Sequence, residues 1–361
     1  MEVVGILSSI IISLIVIGVL VIVHEFGHFI VAKKCGVWVE EFAVGMGKKI
    51  VSKQVGETEY SLRLFPLGGF CRLHGETEEG EITERSFLSK SVWARMAIMA
   101  AGPFMNFLLA LVFLFGLTAT GYIIEPKIAS VLENSPAAEI GLQPGDEIYR
   151  INGTRIHIYD EMQVEMMQNG STPILLEVKR DGEIYGYELT PQFSEETNSY
   201  LVGFTPVVKN GLLSEKLEGN DTATVWETIR YSYYAMINYV KLTASGLARV
   251  FTMQASPDEY GGPISIVKVV GDSYEAGLTY GISAAIQNVV YIGAVLSANL
   301  GVLNLFPIPG LDGGRILLLL IEILRRKPMQ PEIENKILFA GFVFLMGFMV
   351  FVMYTDIMKI F

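Results

Sequence analysis

Val23-His24-Glu25-Phe26-Gly27-His28-Phe29-Ile30 decides how this chain is read. Residues Val3 to Val23 carry no charge, and then two of the four histidines arrive with a carboxylate between them. On an α-helix, residues four apart share a face and sit about 6 Å apart along the axis. His24 and His28 can therefore address one ion while Glu25 stands beside it. This HExxH spacing suits two imidazole ligands for Zn²⁺ and a carboxylate that takes a proton from the attacking water. In an ordinary surface helix the five letters mean little. At the end of a membrane span they mean more, because ionisable groups there are costly and point to function. The plain alternative is a histidine pair hydrogen-bonded inside a helix bundle.

The composition supports a span. Of 361 residues, 51% are hydrophobic and 18% charged, with a mean hydropathy of +0.42, which fits a polytopic membrane protein carrying some soluble mass. A formal net charge of -11 offers no basic field for phosphates and argues against nucleic acid as a partner. Cys35 and Cys71 lack CxxC spacing and read as packing residues. The first apolar run has no basic n-region and ends in the candidate site, so it reads as a retained helix rather than a cleaved signal.

Four stretches are long enough to cross a bilayer: about Val4 to Ala32, Ala97 to Thr120, a segment within Ala276 to Leu311, and about Ile337 to Thr355. Lys33, Lys34, Lys48, Lys49, Lys53, Arg63, Arg72, Lys90 and Arg95 lie between the first two. Arg325, Arg326, Lys327 and Lys336 lie between the last two. Both loops therefore read as cytoplasmic, with the middle segment and both termini outside. Within the first loop, Glu57 to Leu73 shows period-two alternation (Tyr60, Leu62 and Leu64 against Ser61 and Arg63), and Pro66 with Gly68-Gly69 supplies a turn. That predicts a hairpin, either plain or offering an edge to an extended peptide.

From about Tyr122 to Val208 the chain reads as a soluble α+β domain. Ser135-Pro136-Ala137-Ala138, Gly141-Leu142-Gln143-Pro144-Gly145-Asp146-Glu147-Ile148 and Ile151-Asn152-Gly153 resemble the PDZ signature of bacterial membrane-associated and HtrA-type proteases. A short helix near Asp160 to Gln168 and two strands joined at Asp181-Gly182 follow. Such a groove can bind a peptide tail by strand addition or exclude bulky ectodomains. Ala223 to Met253 predicts a long amphipathic helix. Its apolar face is Val225, Ile229, Tyr233, Met236, Val240, Ala244, Leu247 and Phe251, suited either to a membrane interface or to packing on the soluble domain. Tyr260 to Ile264 then breaks the chain. The resulting division is 1-121, 122-208, 209-275 and 276-361.

A hydrolytic zinc wants three protein ligands and one open position. His74 lies in the polar loop and His157 in the soluble domain, so both are poor candidates. Asp312 is better. It sits in Asn304-Leu305-Phe306-Pro307-Ile308-Pro309-Gly310-Leu311-Asp312-Gly313-Gly314-Arg315, where two prolines unwind the third span. Irregular backbone at membrane depth is tolerated only where protein or a wet cavity surrounds it. The alternative for Asp312 is a pair with Arg315 or a cap on the following helix.

HEFGH in the first span, a PDZ insertion and NLFPIPGLDGG in the third together resemble the site-2 protease family of intramembrane zinc metalloproteases, closest in order and spacing to the bacterial RseP/RasP type. Pro66-Leu67-Gly68-Gly69-Phe70 and Ala101-Gly102-Pro103-Phe104-Met105-Asn106-Phe107 look like further family segments. The resemblance implies His24, His28 and Asp312 as ligands of one Zn²⁺ per chain, Glu25 as catalytic base, and Asn304 as a substrate-backbone contact. It also implies a membrane-associated hairpin that pairs with substrate, with Leu62, Leu64, Gly68 and Gly69 as its contact positions. Some members carry two PDZ domains, whereas this chain has room for one.

The expected protein is thus a four-span α-helical membrane enzyme with a membrane-associated β-hairpin and an inserted α+β PDZ domain. It would lie in a bacterial cytoplasmic membrane with the PDZ domain outside and the site near the cytoplasmic face. The resemblance further implies single-span transmembrane substrates in the lipid bilayer, already trimmed outside, such as anti-sigma factors or signal-peptide remnants. The alternatives are a non-catalytic PDZ membrane adaptor with a structural metal site, which would want a fourth ligand, and a zinc transporter, which would want polar residues on several spans.

Overall fold

The computed structural model describes residues 3–76, 82–195, 199–252, 254, 261–327 and 329–359. Met253 and Tyr260, placed by the sequence at the end of the amphipathic helix and in the break after it, lie outside the described residues. The chain forms two compact units: Met1–Phe113 with Val240–Phe361, and Leu114–Tyr239.

In the first unit, α1 (Val3–Lys34) is a continuous helix of 32 residues, about 48 Å long at 1.5 Å per residue. It is rich in Ile and Val, which are mediocre helix formers in water. An apolar run leaves the backbone no partner but itself in lipid, and that condition enforces helix. α2 (Val92–Thr120) contains Pro103, whose missing N–H and ring disturb the ladder at the turn that faces the candidate site. Together with α7 (Ile282–Leu305) and α9 (Pro331–Met358), these make four helices long and apolar enough to cross a membrane among the described residues.

The hairpin differs from the sequence reading in its turn. β1 (Val39–Val55) pairs with β2 (Thr58–Leu73), and the turn is Gly56-Glu57 rather than Pro66 to Gly69. The lysines of β1 (Lys48, Lys49 and Lys53) hid its strand character. The hairpin is also doubled over. Val39 to Val44 run against Gly69 to Leu73, Lys49 to Val55 run against Thr58 to Arg63, and Glu41 to Val44 also meet Glu59 to Leu62 in steps that rise together. Gly45, Gly47 and Gly68 supply the bend with φ of +85°, +83° and +90°. Its tip is tied back at the base, where Glu57 binds Lys33 Nζ at 2.6 Å and accepts from Trp38 Nε1 through its carbonyl. Buried Glu41 anchors the fold-over through Ser61 Oγ at 2.5 Å and Arg63 Nη2 at 2.7 Å.

The second unit is built on the sheet β10-β3-β4-β6-β7: β3 (Tyr122–Val131), β4 (Glu147–Ile151), β6 (Ile174–Arg180), β7 (Glu183–Leu189) and β10 (Phe204–Asn210). β5 (Thr154–Arg155) pairs with β4, and β8 (Gln192–Ser194) pairs with β9 (Ser199–Leu201). Helices α3 (Pro136–Glu139) and α4 (Tyr159–Asn169) close a core of Ile128, Leu142, Ile148, Ile151, Ile156, Met162, Met166, Ile174, Leu176 and Val178. β6 and β7 meet across Asp181-Gly182, both at positive φ as a tight two-residue hairpin turn requires. Asp146 is fully buried; it accepts two hydrogen bonds from Arg180, at 2.6 and 2.7 Å, and one from the Gln143 N–H.

The amphipathic helix forms as α5 (Val225–Phe251), but its buried stripe is Thr228, Ser232, Ala235 and Asn238. The expected apolar face stays largely open, with Val225, Ile229, Tyr233 and Phe251 exposed. Within the second unit, His157 stacks on Tyr234 at 4.0 Å and Tyr231 donates to Asp160. α5 thus packs by its small and polar side, and of the expected apolar face Phe251 stacks on Phe306 at 5.1 Å. The stretch before α7 holds an element the sequence reading lacked, α6 (Pro263–Leu278), whose N-terminal N–H groups at Gly262, Ile264 and Ser265 donate to Asp356 of α9. The uncharged run from Ala276 to Leu311 therefore opens on the last residues of α6, continues as α7 and ends in an irregular segment.

Candidate active site

The last turns of α1 carry His24 and His28 on one face, both buried, with their Nε2 atoms 3.2 Å apart. α7 stops at Leu305, and Phe306 to Leu311 form an irregular loop in which Gly310 takes a φ of +101°. α8 (Asp312–Arg325) then begins with Asp312 as its first helical residue. A methyl at Gly313 would strike the Leu305 carbonyl, and one at Gly314 would strike that of Ile308. Bare Cα atoms therefore let the loop fold tightly enough to swing Asp312 toward α1. Its Oδ2 lies 3.2 Å from His24 Nε2 and 3.4 Å from His28 Nε2.

Those three atoms form a triangle with sides of 3.2, 3.2 and 3.4 Å. A tetrahedral zinc with ligands at about 2.0–2.1 Å has ligand–ligand edges of about 3.3 Å. The donor set therefore fits one face of such a tetrahedron and leaves the fourth corner to the cavity. Two further observations agree. Asp312 Oδ2 is buried with no hydrogen-bond partner, an arrangement that costs free energy unless a cation meets it. His28 Nδ1 lies 2.8 Å from the Ile98 carbonyl, so that nitrogen donates and Nε2 keeps its lone pair for a metal. Among the described residues, these three form the one cluster of His, Cys, Asp and Glu suited to a metal.

A cavity of about 460 Å³ opens on the triangle, lined by Glu25, Phe70, Cys71, Met99, Asn304 and Arg315 among others. Glu25 stands beside the ligands, and the Cys71 backbone N–H faces its carboxylate. Gly69 passes so close that a methyl there would touch Glu25 Cγ at 3.6 Å and the Ala43 carbonyl at 2.8 Å. The Gly69–Leu73 end of β2 is thus the sheet edge at the site. Burial, with the Glu25 charge beside it, pushes the Cys71 thiol above its usual range and keeps it protonated.

Of the residues the sequence singled out, His24, Glu25, His28, Asp312 and Asn304 come together around one cavity, with Gly69 against Glu25. Gly68 lies at the bend beside Met46, and Leu62 and Leu64 are exposed on β2 away from the cavity lining. His74 pairs with Glu40, and His157 pairs with Glu161. Four contributors have a place at the site that the sequence did not assign, although Gly102, Asn106 and Arg315 stand in segments it singled out. Ile98 supplies a carbonyl, Gly102 leaves room where a methyl would meet both histidine rings, and Asn106 Nδ2 lies 3.1 Å from His24 Nδ1. Arg315 is held by Glu76, one turn after Asp312. Ile98, Gly102 and Asn106 repeat every four residues along α2, a stripe visible in the sequence only once α1 is known to face it. The buried pair Arg95–Glu322, at 2.6 Å, fixes α8 to α2.

A model of peptidase family M50 matches residues 12–348. A Clostridium perfringens protein named as a zinc metalloprotease is 38% identical over 351 residues, covering 96% of this chain and 98% of that one. The regulator of sigma-W protease RasP of Bacillus subtilis is 29% identical over 440 residues, covering 98% of this chain and 99% of that one. Among solved structures, the PDZ domain of an SdrC-like protein from Listeria monocytogenes aligns with a TM-score of 0.21 and 20% identity, covering 22% of this chain and 85% of that domain.

Proposed function

The chain belongs to peptidase family M50, the site-2 proteases, and is a zinc metalloprotease; from that premise we propose that it cuts transmembrane segments of single-span proteins inside the bilayer. The observation that carries this reading is the Nε2–Nε2–Oδ2 triangle of His24, His28 and Asp312 beside Glu25, in a cavity bordered by a strand edge. His24, His28 and Asp312 would hold one Zn²⁺ per chain. When bound, that ion supplies Lewis acidity toward water and a peptide carbonyl. Glu25 takes the proton of the attacking water and returns it to the leaving amine. Asn304, in the lining of the same cavity, donates to the substrate backbone.

A substrate helix hides its carbonyls in its own hydrogen bonds and must unwind before it can be cut. The Gly69 to Leu73 edge replaces the lost backbone bonds by strand addition. Exposed Met46, Ile50, Val51 and Phe65 beside Lys48, Lys49 and Lys53 suit the hairpin to a membrane surface. The basic loops support a site near the cytoplasmic face of a bacterial inner membrane, with the sheet unit, read as a PDZ domain, outside. There the unit admits substrates whose ectodomains have already been trimmed, such as anti-sigma factors or signal-peptide remnants, as regulated intramembrane proteolysis requires.

The test is cleavage in reconstituted vesicles of single-span substrates with long and short ectodomains. Wild type should cut, chiefly the short form, and Glu25→Gln or chelator-treated protein should not. Cleavage that persists in Glu25→Gln would remove Glu25 from its role, and equal cutting of both substrates would remove the filter.

A further inference from the structure

His28 is held by a backbone carbonyl, which no substitution can delete. The ring of His24 has no such partner. Its Nδ1 faces Asn106 of α2, a residue with none of its surface exposed. As placed, Asn106 Nδ2 donates to Nδ1 at 3.1 Å, so the ring proton is on Nε2, the atom that looks toward Asp312 and His28. In that state Nε2–H points at Asp312 Oδ2, 3.2 Å away, while the buried Asn106 Oδ1 on the other side of the ring is left without a donor. A buried amide oxygen without a donor costs roughly 1–3 kcal/mol, and a proton on Nε2 occupies the lone pair that a cation would need.

One change resolves both. A half-turn of the carboxamide exchanges Oδ1 and Nδ2, atoms told apart only by their hydrogen bonds. Oδ1 then accepts from Nδ1–H, and Nε2 presents a lone pair to the triangle that a cation would share with Asp312. We propose that Asn106 is the positioning residue of His24, whose carboxamide oxygen selects the tautomer and ring orientation in which His24 ligates. This rests on the zinc site read at His24, His28 and Asp312. The backbone around Asn106 is fixed independently, because Ser297 Oγ of α7 donates to its carbonyl at 2.8 Å. Changing the side chain therefore leaves the anchor of α2 in place. Ile98, Gly102 and Asn106 divide the work along one stripe: a carbonyl for His28, a gap for both rings and an acceptor for His24.

The experiment is zinc affinity of the full chain in detergent, by competition with a chromophoric chelator, for wild type, Asn106→Leu, Asn106→Ala, Asn106→Asp and His24→Ala. Loss of an outer partner of a ligating histidine weakens metal binding about 10–100-fold. Asn106→Leu and Asn106→Ala should show that loss, and Asn106→Asp, which keeps an acceptor, should return to within about threefold of wild type. The absorption of the cobalt-loaded protein should follow the same order, tetrahedral in wild type and Asn106→Asp and altered in the other two. Zinc affinity unchanged in both Asn106→Leu and Asn106→Ala would overturn the proposal. So would an Asn106→Asp variant as weak as those two, since only the packing would then matter. Wild-type affinity in His24→Ala would overturn the zinc site itself, an outcome distinct from either.

Discussion

The long helices of the first unit and the sheet unit draw their interiors from different residues, although the first unit also has an apolar cluster of Ala32, Val37, Val39, Leu73, Phe87, Ile98 and Met99. In the sheet unit the interior is Ile128, Ile148, Ile151, Ile156, Ile174, Leu176 and Val178. In the long helices of the other unit the buried positions include Ser9, Ser13, His24, His28, Asn106, Ala294, Ser297 and Ala298, and Leu7, Ile11 and Ile15 are exposed. Water explains the first pattern, because burying apolar area is what holds a sheet to its helices. The second is what lipid selects. With acyl chains outside there is no gain in hiding a leucine, so helices meet through small residues and hydrogen bonds. The candidate catalytic groups of this chain therefore lie in the unit where polar side chains belong in the interior.

The sharpest way to break this comparison is to fill a space the helical unit keeps empty. A Gly102→Val side chain would occupy the position where both histidine rings converge. Bound zinc should fall at least 100-fold by chelator competition, and helix content by circular dichroism should stay at the wild-type level. In the sheet unit the equivalent injury is removal of volume. Ile148 has no exposed surface, so Ile148→Ala should cost about 2–4 kcal/mol, read as faster amide hydrogen exchange across β4 and β6 with zinc binding unchanged.

This difference also decides what the sequence could say. The four long apolar runs, the Asp181-Gly182 turn and the HExxH face are local patterns, and each reports directly on its own element. Asp312 was legible because a carboxylate after two prolines is anomalous at membrane depth. Asn106 was not, since a lone asparagine in an apolar helix gains meaning only from His24, 82 residues away in the chain. α5 shows what periodicity leaves out: it marks the apolar face, whereas the stripe this helix buries is Thr228, Ser232, Ala235 and Asn238. The doubled hairpin was hidden because Gly45 and Gly47 bend a strand whose lysines read as loop.

A smaller effect sharpens the account of the sheet unit by pH. Burial pushes the Asp146 carboxyl up, but the Arg180 guanidinium and the Gln143 N–H pull harder, and the group ends below its ordinary value. A depressed carboxylate stabilises the fold above its unfolded pKa of about 3.9 and loses that contribution as pH falls through its folded pKa. Asp146→Asn should therefore cost about 2 kcal/mol at pH 7, and the gap to wild type should close as the pH is lowered below about 4. A gap that is constant with pH would assign the loss to packing.

The smallest expected effect tests the comparison from the other side. Ile15 of α1 is 61% exposed, and Ile148 is wholly buried. If Ile15 faced water, its exposure would be the anomaly and Ile15→Ala would be neutral or stabilising in detergent-free buffer. If it faces lipid, the alanine exchanges one apolar contact for another and sheds no hydrophobic burial, because none was gained from water. Ile15→Ala in vesicles should then shift the melting temperature by less than about 1 °C, the scale of an exposed substitution of a few tenths of a kcal/mol. A loss of several degrees would mean that this face of α1 packs on protein, either a second copy or a substrate helix. Retention of stability with reduced cleavage of a single-span substrate would single out the substrate.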